Sequence, residues 1–400
     1  MVQHLVGSVY AEPIYAAAAG GGFDLPRLGD GAACPPARGG GVDLTKPGCA
    51  ALAITRRYIR EHLDVDGMNS DGTAGLPPGA PPRPYFDAVS GYTPVNGPAA
   101  GVTNVTRWTP LTEDTAGLGT YTVQTVTAAQ VGLAKPLMVP PAVLRRLRTA
   151  APYPAAGAYA PDFVCDAGRP DPDGLCGKAR GVLAAAASLT DTQRLLVRFF
   201  DRKSTSIARF PTRLLTRLGQ PLADYLVAEA ALNSFAWDAT IVTWSEKLRH
   251  DAVRPATLVP AILWHDPRGA AFTSTIRTMP HGEYPSGSAT VCAGFAAVLS
   301  AFGGDALNVS FTLRPGQVGG GLPTATETVD LGSLAAVAST CAASRLWGGL
   351  HFPDAVAAGE TLGKAVAAEV LKVMACRAPG TPGLPACEAG GTAGGRAGGF

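Results

Sequence analysis

From Leu222 to about Arg249 the apolar residues Tyr225, Leu232, Phe235, Ala239 and Val242 follow spacings of seven, three, four and three, which predicts one long amphipathic helix. Lys247 falls in its last turn, and Pro255 biases Arg254 out of the helical region, so the chain should turn between them. A small-residue helix is expected over 287–302, and another over 331 to about 347, ended by Gly348-Gly349. The last helix should start near Phe352-Pro353-Asp354, with its proline early where it costs little, and run to about Cys376. The first half has little such periodicity. Residues 65–165 are dense in turn signals, among them Pro77-Pro78, Pro81-Pro82, Asn96-Gly97-Pro98 and Pro140-Pro141, and read as a long irregular meander.

Composition sharpens the division of the 400 residues. The 49 Gly and 34 Pro are unevenly spread: residues 1–50 form a loop-rich N-terminal segment, 51–375 a helical domain, and 376–400 a C-terminal tail that is Gly/Ala-rich from about 388. With 33 Lys+Arg against 31 Asp+Glu there is no global field to recruit nucleic acid, so any useful positive charge is local. No apolar run is long enough for a membrane span, and the Met1 end does not read as a signal peptide.

Groups suited to an anion are found in three segments, the first and third of them positively charged: Lys247-x6-Arg254-Pro255, Pro285-Ser286-Gly287-Ser288 and Ser344-Arg345-x5-His351. Three cations, a hydroxyl, a glycine amide and an imidazole are what a tetrahedral or trigonal-bipyramidal oxyanion requires of a protein. Two of the segments fall at helix N-termini, where unpaired amides and the positive dipole end favour an anion. Each piece alone also has an ordinary reading. Lys247 reads as a helix-end cation, Arg254 as a turn residue, Pro-Ser-Gly-Ser as an N-cap, Arg345 as half of a local ion pair, and His351 as a helix cap. The three together, in order and with their internal spacings, favour the oxyanion box.

These segments resemble the K-x6-RP, PSGH and SR-x5-H pattern of the vanadium-dependent haloperoxidases and the related type 2 phosphatidic acid and bacterial acid phosphatases. Arg56-Arg57-Tyr58, Gly91-Tyr92-Thr93-Pro94-Val95-Asn96, Arg107-Trp108-Thr109-Pro110-Leu111, Lys247-Leu248-Arg249-His250-Asp251 and Glu283-Tyr284-Pro285 extend the resemblance, on the haloperoxidase side, over roughly residues 51–372. It implies an all-α helical bundle carrying an elaborated, irregular N-terminal half. It further implies a vanadate held by Lys247, Arg254, Ser286, Gly287 and Arg345 and bonded axially by His351, with hydrogen peroxide, halide and a small organic molecule as reactants. Phosphate is the alternative occupant. The alternative functions are a phosphatase with His351 as nucleophile and a non-catalytic phosphate- or vanadate-binding relative.

The chain departs from the pattern twice. Ser288 stands where the family's PSGH histidine transfers protons, and position 355 is Ala where the family often has an Asp that orients the imidazole. His281, His250 and Glu283 are candidates for the missing proton transfer, and Asp354 for the missing carboxylate. Cys34 with Cys49, Cys165 with Cys176, and Cys376 with Cys387 are spaced for local disulfides, whereas Cys292 and Cys341 read as buried free thiols. Three bridges, with the sequons Asn104-Val105-Thr106 and Asn308-Val309-Ser310, point to secretion or an oxidising compartment. The lack of a signal peptide leaves localisation open.

Overall fold

A computed structural model describes residues 90–387, except 98–101, 115–118, 154–158, 160–162, 167–173, 203–205, 207–208 and 304–307. The expected 1–50 segment, the 51–89 stretch, the Cys34/Cys49 pair and the tail beyond 387 lie outside the described residues. Within them the chain forms two short strands, β1 (Thr112–Asp114) and β2 (Tyr121–Val123), then helices α1 (Pro141–Leu144), α2 (Leu175–Ala187), α3 (Asp191–Asp201), α4 (Arg209–Arg217) and α5 (Leu222–His250). Next come α6 (Pro255–Ile262), α7 (Pro267–Ala270) and α8 (Gly287–Gly303). Strands β3 (Val309–Leu313) and β4 (Glu327–Gly332) precede α9 (Leu334–Trp347) and α10 (Pro353–Arg377). The predicted helical bundle is what forms, and its two sheets are antiparallel hairpins, β1 on β2 and β3 on β4.

Local chemistry sets the helix ends. Thr190 and Gln193 make a reciprocal capping box at the start of α3, and Ser333 accepts the Ala336 amide at the start of α9. Helix α9 starts three residues later than the pattern suggested, because 327–332 pairs as a strand. Helix α5 ends where Asp251 takes a left-handed φ of 45° and returns its N–H to Lys247 O. Pro255 and Pro353 each occupy a first helical position after an extended residue, Arg254 and Phe352.

The core is built where α8 runs between α5, α9 and α10. Glycines set the closeness of approach. A Cβ at Gly294 would lie 1.9 Å from Cζ of Phe235 on α5, and one at Gly363 would lie 2.0 Å from Thr290 O on α8. Phe235, Leu232, Val298, Leu299, Val366 and Val370 fill the seam. Two α5 carboxylates hold the irregular half in place. Asp238 accepts the amides of Leu137, Met138 and Val139 at 2.7, 3.1 and 2.7 Å, and Glu246 accepts Arg148 at 2.7 Å and the Thr149 amide at 2.8 Å.

Cys165–Cys176 and Cys376–Cys387 are disulfides as their spacing predicts. Cys292 and Cys341, expected as free thiols, are instead bonded to each other across α8 and α9. Small residues let those helices approach until the two Cα atoms are 6.4 Å apart, within disulfide reach. Among the described residues no helix is long and apolar enough to cross a membrane, and the three disulfides are compatible with an oxidising location.

Candidate oxyanion site

The three segments meet at the ends of α5, α8 and α9. Lys247 Nζ donates to the carbonyls of Gly282 at 2.8 Å and Glu283 at 3.0 Å, which ties the last turn of α5 to the loop before α8. After the left-handed Asp251 the chain reverses, and Arg254 reaches back into the same space. Its Nε donates to His281 O at 3.0 Å, Nη2 to His281 Nδ1 at 3.0 Å, and Nη1 to Leu350 O at 3.0 Å and His351 Nε2 at 3.2 Å. One guanidinium thus spans the loop before α8 and the turn before α10.

At the start of α8, the Ser286 amide donates to Ala355 O at 2.9 Å, and the Ala289 amide lies 3.4 Å from Ser286 Oγ. A Cβ on Gly287 would come within 3.9 Å of Lys247 Cε and 3.7 Å of Thr243 and Trp244, so this glycine backbone lies against the lysine stem. Arg345, near the end of α9, donates from Nε to Ser344 Oγ at 3.0 Å and from Nη2 to Val197 O at 2.9 Å. Its Nη1 makes no hydrogen bond among the described residues and lies 3.8 Å from Asp201.

Burial makes these charges unusual. Lys247 is 2 %, Arg254 2 % and Arg345 1 % exposed, so three cations are nearly dry around His351 at 5 %. Burial pulls both guanidinium pKa values down to about 10. Lys247 is pulled well below its ordinary value by burial and then by the neighbouring Arg254 charge. His351 is likewise lowered by burial and by Arg254, Lys247, His281 and Arg345, so it is neutral at ordinary pH. The carboxylate touching it is Glu283, whose Oε1 lies 3.0 Å from His351 Nδ1 and accepts the Phe352 amide at 2.8 Å. Burial pushes Glu283 up to about 7 against the pull of that amide and of Arg254, Lys247 and Lys178.

Several sequence-derived assignments change. Asp354, offered as the carboxylate for His351, is turned outward to pair with Lys178, so Glu283 occupies that place. His250, offered as a proton shuttle, faces away from the box toward Thr149 and the Glu246 cluster. His281 does stand at the box, bonded to Arg254 and packed on Trp244 with ring centroids 5.2 Å apart. Ser288 is on the first turn of α8 and 9 % exposed. The contacts of Arg345 with Val197 and Asp201 were not foreseen: they lie on α3, and nothing but the capping box that starts that helix marks the region in sequence.

The helix ends thus bring three buried basic side chains and the His351 imidazole together. Residues 228–378 match the family model of the VCPO second helical-bundle domain. A holo-type bacterial vanadium-dependent chloroperoxidase structure superposes with a TM-score of 0.65 at 22% identity, covering 83% of this chain and 73% of its own. The apo-type structure gives the same TM-score and identity, covering 83% and 75%. A bacterial vanadium-dependent iodoperoxidase matches at a TM-score of 0.51 and 19% identity, over 67% of this chain and 60% of that one. No curated protein sequence matches. Residues 228–378 are thus similar to that family's helical-bundle domain, and the chain shares the helical fold of the vanadium-dependent chloroperoxidase structures.

Proposed function

We propose that the protein is a vanadate-dependent haloperoxidase, using hydrogen peroxide to oxidise halide and so halogenate a small organic substrate. The observation that carries this reading is the set of three cations, each no more than 2 % exposed, converging on a neutral imidazole. Such a set fits a multiply charged oxyanion. Its buried positive charge exceeds the one fully buried carboxylate beside it, and Arg345 Nη1 and the third Lys247 N–H have no hydrogen-bond partner among the described residues. Lys247, Arg254 and Arg345 would hold the vanadate oxygens with the Ser286 hydroxyl and Gly287 amide, and His351 would bind the metal. Bound there, vanadium supplies a Lewis acid that activates peroxide at constant oxidation state.

The remaining chemistry falls to the chain's own groups. His351 presents Nε2, which accepts from Arg254 and therefore carries no proton. Ser288 has no acid-base capacity near neutral pH. His281 is the proton-transfer group of this reading: its Nδ1 lies 3.0 Å from both Arg254 Nη2 and Gly282 O, and it stands at the half-buried edge of the box. The test has two parts on one sample. Orthovanadate should raise the melting temperature, and the loaded protein should brominate a phenol with peroxide. Stabilisation without halogenation would reject the enzymatic reading.

A further inference from the structure

We propose that Glu283 is the positioning residue of this site, fixing the tautomer of His351 so that Nε2 faces the bound oxyanion. This rests on the oxyanion reading above. Arginine only donates, so the 3.2 Å contact from Arg254 Nη1 makes His351 Nε2 an acceptor. In a neutral imidazole the proton is then on Nδ1, which lies 3.0 Å from Glu283 Oε1. That oxygen also receives the Phe352 amide at 2.8 Å, so two N–H groups from adjacent residues fix one acceptor.

The backbone around Glu283 reinforces the arrangement. Its amide donates to Ala252 O at 2.9 Å and its carbonyl accepts Lys247 Nζ at 3.0 Å. One residue therefore touches all three site segments: Lys247 through its carbonyl, His351 through its carboxylate, and Ser286 through the short Tyr284-Pro285 link. At 1 % exposure the side chain has no route to solvent that would loosen it. Positions 354 and 355 cannot do this work, because Asp354 pairs with Lys178 and residue 355 is Ala. A carboxylate supplied from the loop before α8 replaces one supplied from the first turn of α10, and the imidazole is held from the opposite neighbour.

The test reads the ring directly. In anion-free protein, long-range ¹⁵N–¹H spectra of the histidine rings, with His351 assigned by its loss in His351→Ala, should show a protonated Nδ1 and a bare Nε2. Glu283→Ala should mix the tautomers and weaken orthovanadate binding by about 10- to 100-fold. Glu283→Gln, which keeps an acceptor oxygen, should restore the tautomer and most of the affinity, and Asp354→Ala should change neither. A protonated Nε2 in the unsubstituted protein would overturn the proposal even if a variant failed to fold. So would an unchanged Glu283→Ala spectrum, or an Asp354→Ala variant that alone shifts it. If the tautomer behaves as stated while orthovanadate fails to bind the unsubstituted protein, the functional reading falls and the positioning role of Glu283 stands.

Discussion

At the scale of single residues, the proposed box has a holding part in Lys247, Arg254, Arg345 and His351, and a proton-transfer part altered at Ser288. Lys247, Arg254 and Arg345 are nearly inaccessible, and their low exposure leaves little bulk water to satisfy them. Replacing Arg345 by Ala should weaken orthovanadate binding by roughly 10- to 100-fold, since a hydrogen bond to a charged group contributes about 1.5–3 kcal/mol. Titration calorimetry on the folded variant measures it. Ser288→His should leave that affinity nearly unchanged, whereas His281→Ala should lower peroxide-dependent bromination, because a positioned acid-base group contributes about 10²- to 10⁴-fold. Steady-state kinetics decide this, and an unchanged rate in His281→Ala would contradict its proton-transfer role. These residues were legible because their spacings are local: x6 between Lys247 and Arg254 and x5 between Arg345 and His351 each lie across one turn of chain. Glu283 was visible only as a weak candidate base. Its partner is 68 residues away, and the local rule of a carboxylate just after the histidine pointed to Asp354 instead.

Elements place these residues, and their boundaries were legible to the extent that each carries its own signal. Apolar periodicity marked α5, proline at the first position marked α10, and the Gly348-Gly349 pair marked the end of α9. The start of α9 was misjudged because β4 is defined by pairing with β3, a non-local fact. The Cys292–Cys341 bridge was missed for the same reason: two cysteines 49 residues apart carry no sign of facing each other until α8 and α9 are packed. That bridge joins the helix that begins at Ser286-Gly287 to the helix that bears Arg345, and Cys341 O accepts the Ser344 hydroxyl at 2.6 Å. Changing both cysteines to Ala should lower the unfolding free energy by about 2–4 kcal/mol in denaturant titration, the usual worth of a disulfide. The α8–α10 seam makes a second claim. At Gly359 a Cβ would stand 2.5 Å from Ser286 O, so Gly359→Ala should cost about 1–3 kcal/mol and disturb the Ser286 end of the box.

For the whole molecule, α5 is the post on which both the bundle and the irregular half depend. Burial alone would raise the Glu246 pKa, yet His250, Arg249, the Thr149 amide and Arg148 together hold it far below the ordinary value of 4.5. A carboxylate depressed on folding stabilises the native state fully above its unfolded pKa and loses that contribution as the pH falls through the range below 4.5. Thermal melts should therefore show stability dropping on acidification below about pH 4.5, with a smaller drop in Glu246→Gln. At pH 7 that substitution should cost about 3–5 kcal/mol, as expected when one partner of a buried charged cluster is neutralised. The irregular half was predicted as a meander, but its attachment through Glu246 and Asp238 was not readable, since both look like ordinary polar positions of a helix.

Three buried basic side chains and His351 are proposed to form a site for vanadate. Its most direct measurement is calorimetric titration of the anion-free protein with orthovanadate, alongside His351→Ala and Arg345→Ala. One-to-one binding that weakens at least about tenfold in each variant is expected. Absence of binding to the unsubstituted protein, or equal affinity in all three, would contradict it.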